Sequence, residues 1–563
     1  MTAQPDHAPA RPGPEEQARP APNPAARPGR DGPSRWQLEC WYPSSEPLVT
    51  AGLPPGTTEV LCRTAFGGVT ASAPHDGVAV LSGLPAGTHA IECRSETGAL
   101  IAEELTTIGA SPADGPVMGF ATSLEPGRVG GVVSWLGALR CSVVQIYDWM
   151  QRYSAPAPES ERYLDPLGRP LHRSSLLGLV KALHELGAVA QAYAPVCAAD
   201  PGFAAEHSDW SLRRNDGAPQ ALGDLLDIMD PANPGWQQHW LAAYGAAVDA
   251  IGFDGFHLDT YGYPRAASDS SGRPVEMAGA YCSFVSRVRE AFPAATLSFN
   301  QVNGVPARFG VPPPPAFRYV EVWPPNDAWR HLEALLGRSA GPASSGGVLA
   351  LYPPVWGGER GAALRTVALC EAVTTMLGAG VLVLGDDGGA LRHPYYPDYE
   401  RLERAEREQL LEWHRFALRC RDLFRQGPGT SSHDTSWVDV GDENGAVRVV
   451  TDGPQARPEP AGGGLFARVV RDGPLTAVAC LDLTGSSGSW QEPTWRGTVR
   501  QARVELLVER PERCHAEVAA LGSGGGRFAP VELVPASHRE GRAVAISMPL
   551  GDGWAVARID EGR

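Results

Sequence analysis

Lysine is almost missing from this 563-residue chain, in which Lys181 is the one lysine among 48 basic residues. Schiff-base chemistry therefore has a single candidate, and Lys181 falls inside a predicted helix rather than at a strand end. No run approaches 18 consecutive apolar residues, so a membrane-spanning helix is not supported. Residues 1–35 contain no Leu, Ile, Val or Phe, which excludes the apolar core of a secretory signal. That stretch predicts a disordered Pro/Ala/Arg-rich tail and, by default, a cytoplasmic chain. The ten cysteines form no Cys-x-x-Cys pair, which excludes a zinc ribbon or a redox motif. Buried free thiols are the expectation, with Cys40, Cys62 and Cys93 the best candidates for an exception. A basic excess is also lacking. The net charge of −16 repels phosphate backbones, so neither nucleic acid nor a membrane is an expected partner. Gly-x-Ser-x-Gly, P-loop, His-x-His and His-Glu-x-x-His motifs are all absent.

What is present is a hydrophobic fraction of 43%, enough for several domains. From Trp36 to about Gly115, short runs such as Thr58–Cys62, Val78–Leu81 and His89–Cys93 alternate with Gly/Pro turns, predicting a small immunoglobulin-like β-sandwich over 36–118. From about Cys141, apolar runs of five to seven residues alternate with helical stretches, the signature of parallel βα units. The predicted strands are Ser142–Tyr147, Val189–Tyr193, Leu225–Met229, Gly255–Leu258, Ala295–Phe299, Phe317–Val322, Gly347–Leu351 and Gly380–Leu384. Helices fit between them, for example Ser175–Leu186, Gly235–Ile251 and Gly361–Leu377, and Leu402–Phe424 closes the series. Eight such units predict a (β/α)8 TIM barrel over 119–426. Short strands return after Gly427-Pro428-Gly429, predicting a C-terminal β-sandwich over 427–563.

In such a barrel the active site lies where the strands end. The residues there are acidic, aromatic and amide: Tyr147-Asp148-Trp149, Tyr193, Asp227 and Asp230, His257 and Asp259, Asn300, Gln301 and Asn303, Tyr319, Glu321 and Trp323, Tyr352, and Asp386-Asp387. Carboxylates with aromatic and amide neighbours are the equipment for cleaving a glycosidic bond. Strand alternation puts His257 and Asp259 on one face, toward the barrel mouth. Glu321 ends an aromatic-rich strand two steps around the barrel, about 9–10 Å away at the backbone, a gap two inward side chains can close. The apolar neighbours Val320, Val322 and Trp323 should raise the pKa of Glu321, suiting a proton donor. His257 and the Thr260 hydroxyl beside Asp259 should favour its ionised form.

Four segments resemble glycoside hydrolase family 66, the dextranases and cycloisomaltooligosaccharide glucanotransferases. They are Gln145-Ile146-Tyr147-Asp148-Trp149, Gly252-Phe253-Asp254-Gly255-Phe256-His257-Leu258-Asp259-Thr260-Tyr261-Gly262, Tyr319-Val320-Glu321-Val322-Trp323 and Leu391-Arg392-His393-Pro394-Tyr395-Tyr396-Pro397. The resemblance implies a retaining attack on α-1,6-linked glucan, with Asp259 as nucleophile and Glu321 as acid/base. It implies a sugar-binding shell of Asp148, Trp149, Tyr193, His257, Asn300 and Asp387, to which Trp323 adds an aromatic platform, and no metal or organic cofactor. The barrel loops are too short for an inserted carbohydrate-binding module, which favours hydrolysis over cyclisation. Two other functions stay open: a retaining glycosidase or transglycosylase on another α-glycoside, and a non-catalytic carbohydrate-binding protein.

Overall fold

The computed structural model describes residues 36–562 except 37, 123, 260–263, 265, 305–316, 338–346, 394–398, 426–435, 439–445, 452 and 539–540. The predicted tail, Thr260 and the Pro394–Pro397 motif lie outside the described residues.

Eight parallel strands form one sheet in sequence order: β1 (Met118–Ala121), β2 (Val143–Ile146), β3 (Val189–Pro195), β4 (Gly255–Asp259), β5 (Thr296–Asn300), β6 (Phe317–Glu321), β7 (Val348–Ala350) and β8 (Gly380–Leu382). β8 returns beside β1, so the barrel is nearly closed. Seven of the predicted strands coincide with this set and one does not. Leu226–Ile228 pairs antiparallel with Ala198–Ala199 and Ala221–Leu222 in a separate three-stranded sheet after β3, which takes Asp227 and Asp230 away from any barrel strand end. The run's apolar alternation is real, because the sheet buries Leu226 and Ile228. The first barrel strand was hidden because Met-Gly-Phe-Ala has little intrinsic strand preference.

The barrel helices follow their patterns. They are α1 (Val129–Ala138), α2 (Arg173–Glu185), α3 (Pro234–Ile251), α4 (Met277–Ala291), α5 (Trp329–Gly337), α6 (Arg360–Met376) and α7 (Arg404–Cys420). In α3 the Asn233 side chain caps the first turn by accepting from the Gly235 and Trp236 amides, Pro234 starts the helix, and Gly252 ends it at φ 88°. Trp236, Trp240 and Tyr244 recur at four-residue spacing on its buried face. Their polar edges hold the loops at the barrel mouth: Trp240 Nε1 donates to Pro195 O at 3.1 Å, Trp236 Nε1 to Val196 O at 2.9 Å, and Tyr244 Oη to Tyr153 O at 3.2 Å. Burial of the three rings thereby fixes the end of β3.

On the N-terminal side, a five-stranded sheet spanning Trp41–Gly109 faces the hairpin-like pair Leu48–Ala51 and Val78–Leu81 around a small core that includes Val60, Ile91 and Ile108. On the C-terminal side, a seven-stranded and a four-stranded sheet enclose a core of their own, including Val447, Val504 and Ile546. All ten cysteines are free and buried, Cys40, Cys62 and Cys93 included. Among the described residues no helix is long and apolar enough to cross a membrane.

Charged groups join these layers to the barrel. Glu103 of the N-terminal sheet accepts from Arg419 of α7 and, at 2.8 Å, from Arg527 of the C-terminal part. Burial alone would raise the Glu103 pKa, but the two guanidiniums hold it below the ordinary value. His414 of α7 donates from Nδ1 to Glu371 of α6 at 2.9 Å and from Nε2 to Leu139 O at 2.7 Å. With acceptors on both nitrogens the imidazolium form is favoured: burial lowers the pKa, and the Glu371 charge together with the hydrogen bonds to Glu371 and Leu139 O raises it above the ordinary value.

The sign of each linkage follows. Glu103 contributes stability above its unfolded value of about 4.3 that is lost as pH falls through its depressed folded value. His414 contributes stability below about 6.5 that is lost as pH rises through its raised folded value. His414→Gln leaves Glu371 buried without its cation and should cost about 3–5 kcal/mol near pH 6. Thermal melts at several pH values should find that gap narrowing on the alkaline side; a gap independent of pH would refute the ion pair.

Candidate active site

β4 reads Gly255-Phe256-His257-Leu258-Asp259, with Phe256 and Leu258 packed outward into the helix layer and His257 and Asp259 turned to the interior. Gly255 permits the pairing that sets this register. Its φ is 158°, and a Cβ there would come within 2.0 Å of Thr296 O on β5.

Asp259 and Glu321 both line a cavity at the C-terminal end of the barrel. One side chain joins them. Asn300, the last residue of β5, donates through Nδ2 to Asp259 Oδ1 at 2.9 Å and to Glu321 Oε2 at 3.2 Å, while its Oδ1 accepts from the Glu321 amide at 3.2 Å. Two oxygens held on one nitrogen at those distances stand no more than about 6 Å apart, a separation that bears on glycosidase geometry. Tyr193 Oη donates to Asp259 Oδ2 at 2.8 Å, and Tyr352 Oη to Glu321 Oε1 at 2.9 Å. Burial, and next the Asp259 charge, push the Glu321 pKa up to about 7, against the opposing Tyr352 and Asn300 hydrogen bonds. The site thus holds one carboxyl group biased toward its protonated form beside a second carboxyl supported by two donors.

His257 is buried, and burial takes its pKa down to about 3. Its tautomer follows from a chain of hydrogen bonds. Gln191 Nε2 donates to Thr296 O at 3.0 Å, which turns Gln191 Oε1 toward Ser298; Ser298 Oγ donates to that oxygen at 2.7 Å. Ser298 then accepts from His257 Nδ1 at 2.9 Å, so the ring carries its proton on Nδ1 and keeps the Nε2 lone pair as an acceptor.

The other expected residues separate. Tyr193, His257, Asn300 and Trp323 line the same cavity as the pair. Trp149 does not: its ring is fully buried against Phe253, at 4.8 Å between centroids, and its Nε1 donates to Tyr193 O at 3.0 Å. It is a packing residue, because the chain leaves β2 through Asp148 at φ 43° and the alternation that turns Gln145 and Tyr147 inward is broken there. Asp148 is buried beside the pair without lining the cavity; burial, opposed by Arg169 and reinforced by Asp165 and Asp259, pushes its pKa to about 7. Asp387 lines a neighbouring cavity and pairs with Arg128.

Lining residues outside the expected shell are Phe120, Gln145, Tyr147, Tyr319 and Tyr352, with Ala221, Leu222 and Ile228 of the three-stranded sheet. Tyr147, Tyr319 and Tyr352 stand among the strand-end residues read from the sequence, and Gln145 could have been found by carrying the period of two back through the motif. Among the described residues no cluster of His, Cys, Asp or Glu that could hold a metal occurs. Nitrogen-15 spectra of histidine-labelled protein should show His257 neutral and protonated on Nδ1 between pH 5 and about 8. Ser298→Ala should mix the tautomers; an imidazolium signal in the parent protein would refute the assignment.

A model of glycosyl hydrolase family 66 matches residues 91–458. A cycloisomaltooligosaccharide glucanotransferase of Niallia circulans is 26% identical over 179 residues, 28% of this chain and 19% of that protein. A dextranase of Streptococcus salivarius is 29% identical over 144 residues, 22% of this chain and 18% of that protein. The matched segments thus span about a fifth of the length of these curated relatives. Among solved structures, a Paenibacillus sp. cycloisomaltooligosaccharide glucanotransferase complexed with cycloisomaltoheptaose shares the fold, with a TM-score of 0.77 at 15% identity over 93% of this chain and 99% of that one. On a family match covering well over half of its length, the chain belongs to glycosyl hydrolase family 66.

Proposed function

We propose that this chain is a retaining glycoside hydrolase that cleaves α-1,6-glucosidic linkages of dextran or isomalto-oligosaccharides. The observation that carries the reading is the amide bridge. An inverting enzyme needs roughly 6.5–9.5 Å between its carboxyl groups to seat a water, whereas a retaining one uses about 5–5.5 Å. Asn300 holds one oxygen of each carboxyl group within about 6 Å of the other, which favours the second.

The roles follow from the surroundings. Asp259, accepting from Tyr193 and Asn300, is the ionised nucleophile. Its carboxylate attacks the anomeric carbon while Glu321 gives its proton to the departing glycosidic oxygen, leaving a glycosyl ester on Asp259. Glu321, now a carboxylate, takes a proton from water, whose oxygen attacks the same carbon and frees Asp259. His257 Nε2 accepts a hydrogen bond from a sugar hydroxyl, Asn300 and Tyr193 keep the carboxylates aimed, and Trp323 offers an apolar face to the ring. The names of the relatives, dextranase and cycloisomaltooligosaccharide glucanotransferase, support the substrate class. In the same reading the flanking sheets are an immunoglobulin-like sandwich over 36–118 and a C-terminal sandwich over 427–563 around a barrel over 119–426.

Asp259→Asn and Glu321→Gln should each lower reducing-sugar release from dextran by about a thousandfold or more, with circular dichroism unchanged. Proton NMR of the first product should show retained anomeric configuration; inversion would overturn the roles. The donor form of Glu321 is populated below its pKa, so kcat/KM should fall as pH rises through about 7. Tyr352→Phe removes a hydrogen bond that favours the carboxylate, so its alkaline limb should move to higher pH. A panel of dextran, pullulan, starch and α-galactosides separates this substrate from other α-glycosides.

A further inference from the structure

A second cavity, of about 660 Å³, opens at the same end of the barrel, within the range of small-molecule sites. It lies across the β8/β1 seam, between Thr122 after β1, the turn after β8 and the start of α7. Phe120 of the first cavity and Tyr399 of the second meet edge to face at 6.5 Å, so the two share an aromatic wall.

Its lining is rich in guanidinium: Arg128, Arg169, Arg401 and Arg407. The carboxylates present are already engaged. Asp387 and Glu125 pair with Arg128, and Asp386 Oδ2 accepts from the Thr122 amide at 2.7 Å. Arg169 gives Nε to Asp165 at 2.5 Å, but its Nη2 is buried and finds no acceptor among the described residues. The Arg401 and Arg407 side chains have no ion pair or hydrogen bond among the described residues. Arg407 is seated rather than splayed: Gly388, at φ 74°, leaves room where a Cβ would come within 2.5 Å of its Cδ and 2.8 Å of its Nη1.

A neutral sugar hydroxyl is served as well by an amide or a carboxylate. Uncommitted guanidinium forks in a concave site instead match the paired oxygens of a carboxylate or phosphate. In a chain with a net charge of −16, a pocket holding unpaired arginines is a local reversal of sign. We propose that this cavity is an oxyanion-binding subsite adjoining the site of cleavage, which takes a carboxylate or phosphate group borne on a sugar unit. The sugar-borne part rests on the glycosidase reading; the oxyanion part does not.

Calorimetric titration of the full chain at low salt, with glucose 6-phosphate, glucuronate, inorganic phosphate and isomaltose, tests the proposal. Glucose 6-phosphate or glucuronate should bind at least tenfold more tightly than isomaltose, and Arg407→Gln and Arg401→Gln should each weaken that binding about tenfold. Isomaltose binding as tightly as the acidic sugars, or affinities unmoved by both substitutions, would overturn the proposal. Inorganic phosphate binding as tightly as glucose 6-phosphate would overturn its sugar-borne part. Binding is read without turnover. An inactive dextran assay with acidic-sugar binding intact therefore counts against the glycosidase reading alone, and active dextran cleavage without such binding counts against this one alone.

Discussion

The site depends on one amide. Two carboxyl groups turned into a low-dielectric cavity repel each other, and strand spacing alone would leave their separation loosely defined. Asn300 supplies a donor to both and an acceptor to the Glu321 backbone, so a β5 side chain ties the end of β4 to the end of β6. The two acids share that nitrogen but differ in everything else. Asp259 has Tyr193, while Glu321 has Tyr352 and a pKa set first by burial and then by its neighbour's charge. Difference of environment, rather than of residue type, separates acid from nucleophile in such pairs.

Much of this was legible in the sequence because parallel strands enforce a period of two. Tyr193, His257, Asp259, Asn300, Glu321 and Trp323 were all picked at strand ends, and the structure gathers them around one cavity. Reading failed where the backbone left the strand. A positive φ at Asp148 breaks the alternation, and Trp149 then packs into the core. The apolar run at Leu225–Met229 belongs to a different sheet, since alternation identifies a strand but not its partners. The Gln191–Ser298–His257 chain crosses three strands, so no spacing within one segment announces it.

The scarcity of lysine has a structural counterpart in the joints between layers. Glu103 takes two guanidiniums from different parts of the chain, and the Arg558 side chain reaches the Thr64 and Ala65 carbonyls of the N-terminal sheet. A rigid planar fork with five donors suits such junctions better than a single ammonium on a flexible stem. The buried His414–Glu371 pair does similar work between α6 and α7.

The three-stranded sheet after β3 divides the labour of the chain. Its residues Ala221, Leu222 and Ile228 form an apolar wall of the cavity, and Leu222 is 41% exposed there, yet none of them belongs to the strands that carry Asp259 or Glu321. The apolar wall of the cavity and the paired carboxyl groups are thus written in separate stretches of the gene. Drift in that insert can reshape what fits without touching the register that aims the acids, so variation in substrate range among related chains should concentrate there.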